Sequence, residues 1–221
     1  MEITYLGHSC FKLKNKEGMT VLMDPFNSQS LGLPLAKEVA DIVTISHGHD
    51  DHNAVDIVTG PVTRQSTFVI DKEGEYEIGG VEVTATKMYH DKVDGAERGK
   101  NLIVSIRMDG VNILHLGDLG HTLTDAQIEK IGSVDVLMAN VGGQTSLEID
   151  EMMHLVGEIQ PSYMIPMHYK VDGISEIFAK KHSLEEFLDK NKFLVSGEPV
   201  HKIKVEEGNL PDDTQVLIMN A

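Results

Sequence analysis

The sequence predicts an α/β protein of four layers, two β-sheets face to face with helices outside them, in a single domain over residues 1–221. Three observations predict it. Strand-like runs come first and then alternate with helical ones, the order expected of sheets covered by helices. That order occurs twice: a hairpin, TVLMD and DIVTISH in the first half, then a hairpin, NILHLGD and DVLMANV in the second. Both halves end a strand in aspartate, Asp24 and Asp118, and follow it with a helix and an Asp-led apolar strand.

The elements follow in order. Residues 2–6, 11–13 and 20–23 are short apolar or alternating runs with a turn at 15–18, read as antiparallel strands. Residues 35–40 are a helix candidate, and 41–45 form a β-branched run read as a buried strand. Gly79-Gly80 joins 76–78 to 81–86, and Asp109-Gly110 joins 102–108 to 111–116, as hairpins of the primed-turn type. Thr124 with Gln127, and Ser183 with Glu186, read as capping boxes opening helices. Apolar residues at 149, 152, 153, 156 and 159 have helical spacing, and Pro161 ends that helix. Residues 135–139 and 162–167 read as strands, and the tail from 202 to 219 holds two more.

Composition narrows the function. The net charge is −16, from 35 acidic and 19 basic residues. No basic cluster is present beyond doublets such as Lys180-Lys181, so nucleic acid is disfavoured as a partner. Apolar runs stay far short of the ~20 residues of a membrane span. No signal peptide is visible at the start, and Cys10 is the only cysteine, so a cytoplasmic location is expected. A small-molecule substrate is the expected partner; a homo-oligomer is left open.

Chemistry concentrates in SHGHDDHN, residues 46–53, directly after an apolar strand. Open α/β sheets place ligands at the carboxyl ends of their strands. The spacing His47-x-His49-x-Asp51-His52 gathers imidazoles and carboxylates, good ligands for zinc and related divalent ions. Without an ion, Asp50 and Asp51 would repel each other and the imidazoles would crowd. His90, Asp118 and His168 end three further strand-like runs. Five histidines and two aspartates are enough for two adjacent ions with open positions.

This pattern resembles the HxHxDH motif of the metallo-β-lactamase superfamily, and His90, Asp118 and His168 follow in the family's order. LGHSCF, MDPF, LGDLG, VGG and IPMHY are similar to a branch of cytoplasmic metal-dependent hydrolases related to L-ascorbate-6-phosphate lactonase. The resemblance implies an αββα sandwich with His47, His49 and His90 on one ion, Asp51, His52 and His168 on the second, and Asp118 bridging. It implies two divalent ions, zinc with manganese or iron as alternates. A hydroxide between them would attack a small ester, lactone or phosphoester, and Asp51 would accept or return a proton. The alternatives are a redox iron enzyme on the same scaffold and a non-catalytic module that binds metal or metabolite.

Four further residues are candidates for substrate contact or for orienting ligands. His8 follows a strand in LGHS, and Asp24 in MDPF would orient a ligating imidazole. His121 follows the GDLG turn, and Asn140 stands where relatives of the branch carry proline. His115 reads as a satisfied sheet histidine, His154 as an outer-face residue, and Arg98 and Lys100 as cations of a loop that either contacts an anionic substrate or is merely solvated.

Overall fold

Alternation builds the first strand: along Glu2–Gly7 every second residue is buried, so Ile3 and Tyr5 turn inward. The computed structural model describes residues 1–62 and 66–221. Six strands form one sheet in the order Lys202–Lys204, Glu2–Gly7, Cys10–Lys14, Thr20–Met23, Ile42–Thr44, Phe68–Ile70. Eight form the other, in the order Leu194–Val195, Gln215–Val216, Tyr163–Met167, Val136–Asn140, Val111–His115, Lys100–Met108, Val81–Tyr89, Gly74–Ile78. Both glycine-containing hairpins form, with Ile78 opposite Val81 and Met108 opposite Val111.

The weak internal repeat corresponds to a repeated topology. From Glu2–Gly7 the first sheet runs antiparallel, antiparallel, parallel, parallel. From Val81–Tyr89 the second does the same. Each half therefore supplies parallel strands whose carboxyl ends are free to carry ligands. Between the sheets lies an apolar core that includes Phe11, Leu13, Met23, Ile106, Ile113 and Met138.

The outer face of the eight-stranded sheet is helical as expected. Helices α2 (Asp125–Ile131), α3 (Ile149–Ile159) and α4 (Leu184–Lys190) cover Leu114, Leu137 and Met164. Thr124 and Ser183 make the two capping boxes. Helix α3 buries Ile149, Met152, Met153, Leu155 and Val156, and stops at Gln160, whose left-handed φ of 53° precedes Pro161.

The other outer face differs from expectation. Residues 35–40 do not form a helix: Glu38–Val39 pairs in parallel with Val58–Thr59, and Lys12 Nζ lies 2.7 Å from Glu38 Oε2. A six-residue helix is too short to nucleate alone, so strand pairing prevails. The cover over Leu22 and Val43 is the four-residue α1 (Ser28–Leu31) with loop residues such as Phe26 and Leu35 and, from the single 3-10 turn Glu176–Phe178, Phe178. Two short strands, Phe68–Ile70 and Leu194–Val195, carry too few residues to show a period and have no counterpart in the sequence reading. No helix among the described residues is long and apolar enough to cross a membrane.

Candidate metal centre

The residues just beyond the parallel strands meet. Asp24 follows Thr20–Met23; Ser46 and His47 follow Ile42–Thr44; Asp118 lies beyond Val111–His115; Asn140 ends its strand; His168 follows Tyr163–Met167. His90 directly follows Val81–Tyr89, and His8 lies in the tight turn between Glu2–Gly7 and Cys10–Lys14. His8, Asp24 and His168 have φ of 56°, 42° and 59°, a left-handed conformation that non-glycine residues rarely adopt. Each costs about 1–3 kcal/mol and persists only where surrounding contacts hold it. Here the His168 N–H donates to the His8 carbonyl at 2.8 Å, joining the two sheets at the site.

Gly117 makes the approach to Asp118 possible. Its φ is 55°, and a Cβ there would lie 2.4 Å from Asn101 Oδ1 and 2.6 Å from Ser46 Cβ. Asn101 Oδ1 itself accepts the Asp118 N–H at 2.9 Å. Gly117→Ala should therefore destabilise the protein by more than about 1 kcal/mol and lower its metal content, read by thermal unfolding and metal analysis; an unchanged protein would mean the turn is not constrained.

Three groups of metal-ligating side chains converge: His47 with His49 and His90; Asp51 and His52 with His8 and His168; and Asp118 with His47 and His52. Asp118 stands between the first two. Its Oδ2 is 3.2 Å from His90 Nε2, while its Oδ1 is 3.3 Å from His168 Nε2 and 3.5 Å from His52 Nε2. Asp51 Oδ2 is 3.0 Å from His8 Nε2 and 3.4 Å from both His52 Nε2 and His168 Nε2. The His8 and His168 rings lie against each other, centroids 3.8 Å apart.

Hydrogen bonds behind this cluster decide which way its lone pairs point. Asp24 Oδ2 faces His52 Nδ1 at 2.7 Å and accepts from Ser46 Oγ at 2.5 Å; Asp24 Oδ1 accepts the Ser46 N–H at 2.7 Å. A carboxylate only accepts, so His52 Nδ1 carries a proton. The single hydroxyl proton of Ser46 goes to Asp24, so Ser46 Oγ accepts from His47 Nδ1, 2.9 Å away. In their neutral forms, both imidazoles then present unprotonated Nε2 atoms inward. Each faces another ring nitrogen: His47 Nε2 is 2.9 Å from His49 Nδ1, and His52 Nε2 is 3.1 Å from His168 Nε2. Lone pairs and carboxylates gathered in this way are satisfied by a cation, and the donor set of nitrogen and carboxylate oxygen suits zinc, manganese or iron.

Burial, with the His52 charge, pushes His47 down to about 3, so it is neutral across the physiological range and needs no proton removed before ligating. Burial likewise lowers His8, His49 and His168. His52 goes the other way: burial opposes its charge, but Asp118, Asp51 and Asp24 outweigh burial and raise it. Burial alone would raise Asp118 and Asp51; the histidines around them hold both well below the carboxylate range. Asp51 is thus ionised at rest and a poor resting base.

The other candidates divide. Asn140 Nδ2 donates to Asp118 Oδ1 at 2.8 Å, fixing the carboxylate between the groups. His121 is in none of them: its ring faces the Tyr89 N–H at 3.3 Å and the Thr122 carbonyl at 2.8 Å, so backbone uses both nitrogens. His115 is satisfied by Gly117 N and the Ser9 carbonyl, as a sheet histidine should be. His154 is an exposed residue of α3, 3.6 Å from Glu158.

Some contributors carry no sequence signal. Ser46 and Asn101 act only through the contacts above. Asp91, next to His90, accepts backbone N–H bonds from Val93, Gly95, Glu97 and Arg98 at 2.7–3.0 Å. Burial would raise its carboxyl, but the four amides outweigh that and hold it at about 2. The loop carrying Arg98 is therefore built around Asp91. Asp91→Ala should speed hydrogen exchange at those four amides while α3 stays protected; unchanged exchange would remove Asp91 from this role.

Residues 2–168 match the model of the Beta-lactamase superfamily domain. A metal-dependent hydrolase of Thermoplasma acidophilum is 30% identical over 192 residues, 76% of this chain and 83% of the relative. One of Carboxydothermus hydrogenoformans is 29% identical over 195 residues, 76% and 84% of the two chains. Among solved structures, a Thermotoga maritima protein described as a candidate Zn-dependent hydrolase of the metallo-beta-lactamase superfamily superposes with a TM-score of 0.76. It is 31% identical, over 99% of this chain and 97% of that one. The chain belongs to the metallo-β-lactamase superfamily and has its fold. Within it, the chain is of the metal-dependent hydrolase class.

Proposed function

We propose that the cluster holds two divalent ions, zinc in the resting enzyme, and hydrolyses a small ester, lactone or phosphoester. The observation that carries this reading is the convergence of six histidines and two ionised carboxylates, Asp51 and Asp118, in three overlapping groups of ligand atoms. His47, His49 and His90 would hold one ion, Asp51, His52 and His168 the other, and Asp118 both. When bound, such a pair of ions supplies an activated water and polarises the substrate's carbonyl or phosphoryl oxygen.

The remaining work falls to the protein's own side chains. Asp24 orients His52 directly and His47 through Ser46, and Asn140 orients Asp118. His8 faces Asp51 Oδ2 and is placed to donate to it. Asp51 passes on at once any proton it takes up, because the imidazoles around it disfavour its acid form. The open space beside His47 and His49, a cavity of about 770 Å³, accommodates the substrate.

A panel of aryl esters, lactones and bis-aryl phosphodiesters tests the reading on zinc-loaded protein, with chelator-treated protein as control. Turnover of at least one class that disappears with the metal and returns with zinc is expected. Failure of the fully loaded protein on every class would overturn the hydrolytic reading.

A further inference from the structure

Six histidines converge at the site, and five of them suffice for the two proposed ions. The sixth, His8, is buried in the tight turn after Glu2–Gly7. Its Nε2 is 3.0 Å from Asp51 Oδ2. The same oxygen is 3.4 Å from His52 Nε2 and from His168 Nε2, and those two nitrogens are 3.1 Å apart. Zinc bound at ~2.0–2.1 Å in a tetrahedron holds its ligand atoms about 3.3–3.4 Å from one another. The separations of 3.0–3.4 Å among His8, Asp51, His52 and His168 are close to that edge. One ligand atom from each of the four lies within 4.8 Å of all the others.

The use of its ring nitrogens sets His8 with the ligands. A histidine buried to hold the fold employs both, as His115 does through Gly117 N and the Ser9 carbonyl. His8 turns Nε2 into the cluster, while Nδ1 is buried with no hydrogen-bond partner among the described residues. His90 and His168, both proposed ligands, share that pattern: Nε2 faces Asp118, and Nδ1 is buried and unpartnered. A buried polar atom without a partner is costly, so a ring kept in that state is kept for what its other nitrogen does. Access differs between the two sides as well. His47 and His49 line the open cavity, and His8, Asp51, His52 and His168 do not. Beside His8 stand the rings of Phe26 and Phe178, centroids 6.2 and 5.5 Å away, and Phe178 also reaches His168 at 6.3 Å.

Resting on the two-ion reading above, we infer that His8 is a ligand of the buried ion. That ion is then enclosed by His8, Asp51, His52, His168 and the shared Asp118, with no position left for substrate. The ion of His47, His49 and His90 keeps its open position, on the cavity side. Sites closed by protein ligands hold their metal, whereas sites with an open position do chemistry. In the metal-free protein a proton joins His8 Nε2 to Asp51 Oδ2; on loading, the ion takes its place. The two ions are therefore unequal, the cavity-side one leaving first.

Magnetic resonance of the wild-type protein, loaded with cadmium-113 and labelled with nitrogen-15 in histidine, tests the ligand directly. The His8 ring, assigned through its contacts with Phe26 and Phe178, should couple to the same cadmium as His52 and His168. A His8 ring without cadmium coupling, whatever the other rings show, would overturn the inference. Release of zinc to a chelator supplies a second readout, with two phases expected in wild type. His8→Asn, which tolerates the left-handed φ of 56°, should speed the slower phase by more than about tenfold and leave the faster one. His49→Ala should remove the faster phase and leave the slower. Identical release from wild type and His8→Asn would also count against His8 as a ligand, and should that variant fail to fold, the wild-type spectrum decides. Loss of the hydrolytic reading would look different: no ester turned over, with His8 still coupled to cadmium.

Discussion

Asp118→Asn should give a folded protein that retains little metal and turns over no substrate. The two oxygens of Asp118 reach both groups of histidines, 3.2 Å from His90 on one side and 3.3 Å from His168 on the other. Asparagine fills the same space but removes the charge shared by the two sides. Residues that merely orient ligands cost 10–100-fold in metal affinity or activity when replaced, and loss of a shared anionic ligand should exceed that, with turnover below detection. Metal per chain after gel filtration, together with hydrolysis of the best panel substrate, checks it. Full metal content with an undiminished rate would remove Asp118 from the centre. Because Asn140 Nδ2 donates to Asp118 Oδ1, Asn140→Ala should show a weaker version of the same defect.

The second large effect is expected at a residue proposed to touch no metal. Asp24 receives His52 Nδ1 and the Ser46 hydroxyl, and through Ser46 it sets the tautomer of His47. Asp24→Ala leaves a buried imidazole N–H and a buried hydroxyl unpaired, about 1–3 kcal/mol for each unsatisfied group, and frees both rings to turn. Metal affinity should fall by 10–100-fold. Asp24→Asn should be milder, since asparagine tolerates the left-handed φ of 42° and can still accept one of the bonds. Ser46→Ala should affect His47 alone and cost less than either. Zinc affinity measured by competition with a chelator would rank the three, and equal affinities across the series would show that the relay does not orient the ligands.

Burial links Asp24 to acid sensitivity as well. Its carboxyl is lowered in the folded protein: burial would raise it, but the His52 bond prevails. A carboxyl lowered by folding stabilises above the ordinary aspartate range, and that contribution is lost as pH falls through the folded value. The relay should therefore hold at neutral pH and fail in acid.

How much of this was legible follows from where each signal lies. The candidate ligands from His47 to His52 fall within six residues, so their chemistry is visible without a fold. Asp118 and His168 were legible because each follows a short apolar run, and strand ends are where such sheets bind. His90 has no distinctive neighbours, yet the structure sets it against Asp118. Helix α3 was legible from its apolar spacing and the proline after it, down to its bounds at Ile149–Ile159. His121 shows the limit of the same reasoning. It too follows a strand and a glycine turn, but backbone groups saturate its ring. Ser46, Asn101 and Asp91 were not legible, because each acts through a contact distant in sequence or through a backbone conformation. The irregular cover over Leu22 and Val43 was missed for a related reason: local propensity favoured a helix at 35–40, and pairing with Val58–Thr59 decided otherwise.

Metal content per chain, measured by plasma mass spectrometry on protein never exposed to chelator, tests the central claim most directly. Two ions per chain, predominantly zinc, are expected, falling toward one or none in Asp118→Asn. No bound metal, even after incubation with zinc, would contradict the claim outright. Two irons with a redox-dependent visible absorption would contradict the hydrolytic assignment while leaving the ligand set in place.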